Sequence, residues 1–299
     1  MLITDRLRPK HDSVSMDNLL LLEVKGITKK DKFVLFFLKN MYLGLRVSSM
    51  FVLSKKKRDF SNIERGISFK GFLYKSVKFL GMDNLVLKVN VPKYGFQAYC
   101  RIEDEFNDFV LMTQHEHDLI DRFFPKEGDV AIDIGAQIGL YTITSSKHVG
   151  QNGKVIAIGP DPADFEILNR NIKSNNLTNV MPFNYIAYSK EMEMVLVEYL
   201  DNTVPVHINT LDNLLQQNGI NEVNWIKIDV EEAELEVLKG AHNVLSKSKD
   251  ITILIEVHGH NNYRPVIESL YSYNFVVELE KSCEWGNKYI IARKSSLPR

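Results

Sequence analysis

The chain has 299 residues, 44% apolar and 25% charged, with 37 Lys+Arg against 38 Asp+Glu and a formal net charge of -1. Such a composition buries a sizeable core without cross-links and exerts no overall pull toward nucleic acid or another charged polymer. The two cysteines, Cys100 and Cys283, are far apart and have no CxxC partner, which argues against a zinc ribbon or redox pair and for reduced thiols in a cytoplasmic protein.

Residues 1–17 are polar and mixed in charge and lack an apolar h-region, which predicts no secretory leader. Residues 1–65 are expected to be an accessory segment. Within it, 33–53 (FVLFFLKNMYLGLRVSSMFVL) is almost continuously apolar, interrupted by Lys39, Asn40 and Arg46 and flanked by lysines at 29, 30 and 32 and by Lys55–Arg58. Its length just reaches across a bilayer, but two interior cations make spanning costly. Lys39 and Arg46 are seven positions apart and share one helical face. A helix packed in the protein or at a homodimer interface is the first expectation, and a membrane-surface helix the second.

Residues 66–112 read as a small β lead-in, with strands at 67–74, 85–91 and 96–102 punctuated by Gly81, Asn84, Pro92 and Gly95. Residues 113–299 alternate strand and helix. A helix is expected at 116–124, and strands at 129–134, 154–158, 180–187, 225–230 and 251–257. Helices are expected between the strands, at 162–175, 210–218, 233–246 and 263–273, and a closing strand pair at 275–279 and 289–292. This order predicts an α/β fold with a doubly wound, Rossmann-like parallel sheet, its ligand outside the carboxyl ends of the strands.

The first such end is Asp133-Ile134-Gly135-Ala136-Gln137-Ile138-Gly139. Gly135 and Gly139 permit a sharp turn and a close approach to a ligand. The helix start beyond them presents free N–H groups, and Asp133 adds a carboxylate. The spacing is not the G-x-G-x-x-G that seats a pyrophosphate, which disfavours a nicotinamide oxidoreductase. A ligand carrying a sulfonium, an ammonium and a carboxylate suits it better. The second strand ends in Gly159-Pro160-Asp161, with no acid at the position that commonly holds ribose hydroxyls; Asp161 comes two residues later.

Six blocks in order carry a resemblance to the FkbM family of methyltransferases: GDVAIDIGAQIGLYT (128–142), GKVIAIGPDP (153–162), LNRNIKSNNLTNV (168–180), NTLDNLL (209–215), WIKIDVEEAELEVLKGA (225–241) and LIEVHGHN (254–261). The resemblance implies a Rossmann-like domain that uses S-adenosylmethionine, mostly to methylate hydroxyls of small molecules or sugars. It places adenine near Asn184 and Ala187, and the methionine end near Gln137. The chain departs from the family at Gly159, where Glu is usual, and at Glu232, where Gly is usual; the stretch between Leu200 and Val206 is also short. The expected cofactor contacts are Asp133, Gly135, Ala136, Gln137, Gly139, Asp161, Ala187 and Asp229.

Methyl transfer needs a positioned acceptor and often a base for its hydroxyl. Asp229 ends one strand, and Glu231, two residues on, shares its side if the chain stays extended. Glu232 and Glu234 fit equally well as acids at a helix start. His258 ends the next strand and titrates near neutrality, with Glu256 on the same side to orient it. Asp229, Glu231 and His258 are therefore the catalytic candidates; their spacing demands no metal. Two alternatives are a cofactor-binding protein of this fold with little or no catalysis, and a nucleic-acid methyltransferase. The basic runs permit the latter, but no RNA-binding module or Asn-Pro-Pro-Tyr motif accompanies them.

Overall fold

A computed structural model describes residues 86–91, 94–101, 119–120, 125–199, 202–282 and 286–295. The chain divides into two compact units, Met1–Glu116 and His117–Arg299. In the first, β1 (Val86–Val91) and β2 (Phe96–Arg101) pair antiparallel from Val86↔Arg101 to Val91↔Phe96. Phe96, Ala98 and Cys100 are buried while Gln97 is exposed. The expected strand at 67–74, the apolar run at 33–53 with its proposed membrane or dimer contacts, and Cys283 lie outside the described residues. Of the helix expected at 116–124, Leu119 and Ile120 are described; both are helical and buried.

The second unit is built on a seven-stranded sheet. Its strands are β3 (Val130–Ile134), β4 (Lys154–Ile158), β5 (Val180–Phe183), β9 (Trp225–Ile228), β10 (Ile251–Val257), β11 (Val276–Ser282) and β12 (Lys288–Lys294), in the order β11-β12-β10-β9-β3-β4-β5. Pairing is parallel from β10 through β9, β3 and β4 to β5, and antiparallel at β12 and β11. The central strands are short apolar runs because helices cover the sheet, as expected for parallel strands. Ile132, Ile156, Ile226, Ile253 and Ile255 are at most 2% exposed and form the core with Leu211, Leu238 and Phe275. The chain leaves β3 toward β4 and β5 on one side and returns to β9 on the other. The β3/β9 junction is therefore the switch point where the crevice opens.

The helices are α1 (Leu140–Val149), α2 (Pro162–Ser174), α3 (Leu211–Gln217), α4 (Glu234–Gly240), α5 (His242–Lys247) and α6 (His260–Ser272). Two expected elements are divided. The strand expected at 180–187 is β5 followed by β6 (Tyr185–Ala187). The latter joins a separate three-stranded sheet, β6-β8-β7, with the antiparallel hairpin β7 (Met192–Tyr199) and β8 (Asn202–Asn209). Asn184 sits at the break, and its Nδ2 donates to the carbonyls of Gly159 (2.8 Å) and Pro160 (2.9 Å), turning the chain there. The helix expected at 233–246 restarts at His242, because Asp212 of α3 accepts from the amides of Asn243 (2.6 Å) and Val244 (2.9 Å) and caps a new N-terminus. Among the described residues no helix is long and apolar enough to cross a membrane.

Candidate active site

The carboxyl ends of β3, β4, β9 and β10 supply the site. At the end of β3, Gly135 has φ +81°, and a Cβ built on it would stand 1.8 Å from the backbone oxygen of Asp229. Only a glycine lets the first loop lie against the tip of β9. The Asp229 amide donates to Ile134 O at 3.0 Å and holds the two strand ends together. Gln137 is exposed at φ +46°, whereas Ala136 and Gly139 are buried. Gly139 is the residue before α1, which begins at Leu140.

Asp133 is 3% exposed. Its Oδ2 accepts from Thr142 Oγ1 at 2.6 Å, while Oδ1 is buried without a hydrogen bond, 3.7 Å from Lys227 Nζ. Burial raises its pKa above the ordinary carboxylate value; the Lys227 charge and the Thr142 hydrogen bond pull the other way, and the Asp229 charge adds to the rise. Lys227 is 5% exposed. Its ammonium donates to Asp229 Oδ2 (3.1 Å) and Gly135 O (3.3 Å) and lies 4.9 Å from the centre of the Tyr141 ring. Sequence reasoning passed over this residue. The signal was there: a lysine inside the apolar strand Trp225–Ile228 must find carboxylate partners or it cannot be buried.

His258 follows β10. Its Nδ1 is 2.8 Å from Glu234 Oε1, and its Nε2 is 3.6 Å from Glu256 Oε1 and 3.8 Å from Asp229 Oδ1. Burial alone would lower its pKa, but the Glu234 hydrogen bond and the charges of Glu256, Asp229 and Glu234 outweigh it and raise it to about 8. Burial and the Asp229 charge raise Glu256, against the Asn287 hydrogen bond, which is 3.0 Å long, and the His258 charge. Asp229, Glu256 and His258 each bring one ligand-type atom within 4.8 Å of the others, close enough to share a cation.

Two expectations are corrected here. Glu231 does not share a side with Asp229: the chain leaves the extended conformation, Glu231 (φ +44°) and Glu232 (φ +71°) make a left-handed turn, and both are exposed. The residue that orients His258 by hydrogen bond is Glu234, at 0% exposure, rather than Glu256. The Glu232 position also explains why glycine would suit it, since a left-handed φ strains any residue with a Cβ.

The nucleoside side is less complete. Gly159 brings no side chain to the end of β4, and a Cβ there would meet only the amide nitrogens of Gln137 (3.8 Å) and Ala136 (4.0 Å). Asp161, 7% exposed, caps α2: its Oδ1 accepts from the amides of Ala163 (2.5 Å) and Asp164 (3.0 Å). Replacement of the missing acid by Asp161 thus rests on Oδ2. Ala187 belongs to β6 and is part of the core that also contains Leu211 and Ile228, past the bend at Asn184 and not at the tip of β5.

The sheet order and the strand-end constellation are those of a class I, Rossmann-like methyltransferase dependent on S-adenosylmethionine. The chain belongs to the FkbM methyltransferase family: the Methyltransferase FkbM domain matches residues 133–289, more than half of it. The methyltransferase sdnD of Sordaria araneosa is 23% identical over 238 residues, covering 64% of this chain and 89% of that protein. The hexuronic acid methyltransferase AglP of Haloferax volcanii is 27% identical over 182 residues, covering 57% of this chain and 73% of that protein. Among solved structures, an Aquifex aeolicus SAM-dependent methyltransferase matches with TM-score 0.39 and 17% identity over 59% of this chain and 88% of its own. M. jannaschii TYW2 in complex with AdoMet matches with TM-score 0.45 and 15% identity over 70% and 84%.

Proposed function

We propose that the protein transfers a methyl group from S-adenosylmethionine to a hydroxyl of a small-molecule or sugar-type acceptor, with His258 as the base. The observation that carries this reading is the His258 ring at the crevice, its Nδ1 held by Glu234 and its Nε2 beside Asp229 and Glu256. The residues present fit the cofactor. The Asp229 carboxylate, its side chain 22% exposed at the strand tip against which the first loop packs, suits a cationic ligand seated beside that loop. Asp133, Gly135, Ala136, Gln137, Gly139 and Asp229 would hold its methionine end, and Asp161 its nucleoside end. When bound, the cofactor supplies a methyl group on a positively charged sulfur.

The chain's own residues do the rest. Lys227 holds the Asp229 carboxylate at the strand tip, through Oδ2 at 3.1 Å. His258 Nε2 accepts the hydroxyl proton, and Glu256 and Asp229 stabilise the imidazolium that results. Glu231 is outside this proton path. A sugar-type acceptor is consistent with the likeness to a hexuronic acid methyltransferase. Gly159 favours a second reading, a cofactor-binding protein with weak catalysis. Calorimetry with S-adenosylmethionine and turnover on a panel of hydroxylated acceptors separate the two. Asp133→Ala is expected to abolish cofactor binding, and His258→Ala to leave binding intact while slowing turnover roughly a hundredfold or more. No binding by the wild type at millimolar cofactor refutes both readings, and unimpaired turnover in His258→Ala refutes the base.

A further inference from the structure

We propose that Glu234 is the positioning residue of this site: its carboxylate fixes the His258 ring with Nδ1 as the hydrogen-bond donor and Nε2 as the atom that receives the acceptor's proton. The inference rests on the reading of His258 as base and adds a second residue, acting through it. Glu234 is 0% exposed, an expensive place for a carboxylate unless several donors satisfy it. Three do. Its Oε1 receives His258 Nδ1 at 2.8 Å and the Glu232 amide at 3.1 Å, and its Oε2 receives Asn262 Nδ2 at 3.1 Å. Asn262 Nδ2 also donates to Glu232 O at 2.7 Å. One carboxylate thus ties together the turn after β9, the start of α4, the end of β10 and the first turn of α6.

A helix-start acid that merely met the dipole of α4 would need none of these partners, and α4 is capped by no side chain at Ala233. A carboxylate is only an acceptor, so the hydrogen bond to it obliges Nδ1 to carry the proton. In the neutral ring Nε2 is then a bare lone pair, turned toward Asp229 Oδ1 and Glu256 Oε1. In the transfer, the acceptor O–H bond breaks and its proton passes to Nε2. The oxygen forms the bond to the methyl carbon as the carbon–sulfur bond breaks, its electron pair remaining on sulfur. Afterwards the proton leaves Nε2 for solvent. The charged groups that face the ring are Glu234 from α4, Asp229 beyond β9 with Lys227 behind it, and Glu256 from β10; Glu232 adds a carboxylate whose Oε1 lies 3.2 Å from where a Gly259 Cβ would stand.

The test is Glu234→Gln, which keeps the shape and removes the charge, read as kcat and KM against pH with cofactor affinity measured by calorimetry. The ascending limb of kcat, set by a base titrating near 8 in the wild type, is expected to move down by at least about half a pH unit. The plateau is expected to fall by about tenfold or more, with cofactor affinity within about twofold. Glu234→Asp is expected to restore part of the plateau and the wild-type limb. An unmoved limb with weakened cofactor binding would mean a purely structural role and overturns the proposal. A second measurement needs no variant: nitrogen NMR of the His258 ring in the wild type at pH 9 is expected to show the proton on Nδ1, and a proton on Nε2 overturns it. If His258→Ala turns over normally the base reading fails, while the NMR result still decides whether Glu234 fixes the ring.

Discussion

The end of β4 offers the most direct test of the nucleoside half of the site. Gly159→Glu restores a carboxylate where the FkbM resemblance expects one. The position accepts it: the nearest atoms to a new Cβ are amide nitrogens at 3.8 and 4.0 Å, ordinary contact distances, and the backbone is not left-handed. A carboxylate accepting from two ribose hydroxyls makes charge-assisted bonds of about 1.5–3 kcal/mol. Part of this is lost in drying the new carboxylate as the cofactor closes over it. A net gain of about 1–2 kcal/mol corresponds to roughly 5–30-fold tighter binding. Titration calorimetry with S-adenosylmethionine on the wild type, Gly159→Ala and Gly159→Glu measures it. Gly159→Ala is expected to match the wild type and Gly159→Glu to gain. Equal affinity in all three, with the variants folded, would refute the argument: either Asp161 Oδ2 already serves the ribose, or the ribose does not reach this strand end. Weaker binding in Gly159→Glu would place another group where the carboxylate was to lie.

Gly135→Ala should be among the most damaging single substitutions, because its Cβ would fall 1.8 Å from a backbone oxygen of Asp229 that cannot swing aside. A loss of about 3 kcal/mol or more in urea unfolding is expected, and a loss under about 1 kcal/mol would show that the loop can lift off β9 without penalty. Stability should also fall with rising pH. His258 has a folded pKa of about 8 against an ordinary 6.5, so its contribution is complete below 6.5 and lost as pH rises through 8; at 18% side-chain exposure it is at most about 2 kcal/mol. The melting temperature between pH 6 and 9 should therefore drop more in the wild type than in His258→Gln, and equal drops would contradict the assignment.

How far the sequence carried the reading depended on whether a signal was local. The strand tips at Asp133, Asp229 and His258 were legible because each ends an apolar run beside a glycine or an acid, and the order of runs implied the parallel sheet. Four things were not legible. The division at Asn184 depends on hydrogen bonds to carbonyls 25 and 24 residues earlier, and the restart at His242 on Asp212 of another helix. The partner of His258 was assigned to Glu256 because the two are near in sequence and share a strand side. Glu234 wins because the fold brings the start of α4, packed on α6, beside the residue that follows β10, a relation no spacing expresses. The exclusion of Glu231 turns on a backbone change just after Asp229, where a run of acids gave no hint that the strand had ended.

That backbone change and the proton path belong to one construction. Two consecutive residues with side chains, Glu231 and Glu232, occupy left-handed φ at a cost of order 1–2 kcal/mol each. The turn they make brings the Glu232 amide onto Glu234 Oε1 and the Glu232 carbonyl onto Asn262 Nδ2. Both polar groups of the strained residue are therefore held by the clamp that holds His258. A looser turn would free Glu232 and remove one of the three donors that satisfy a carboxylate at 0% exposure. The carboxylate would then be held less firmly, and the imidazole would lose the fixed acceptor that keeps Nε2 bare. Strain at 231–232, burial of Glu234 and the direction of the His258 ring stand or fall together.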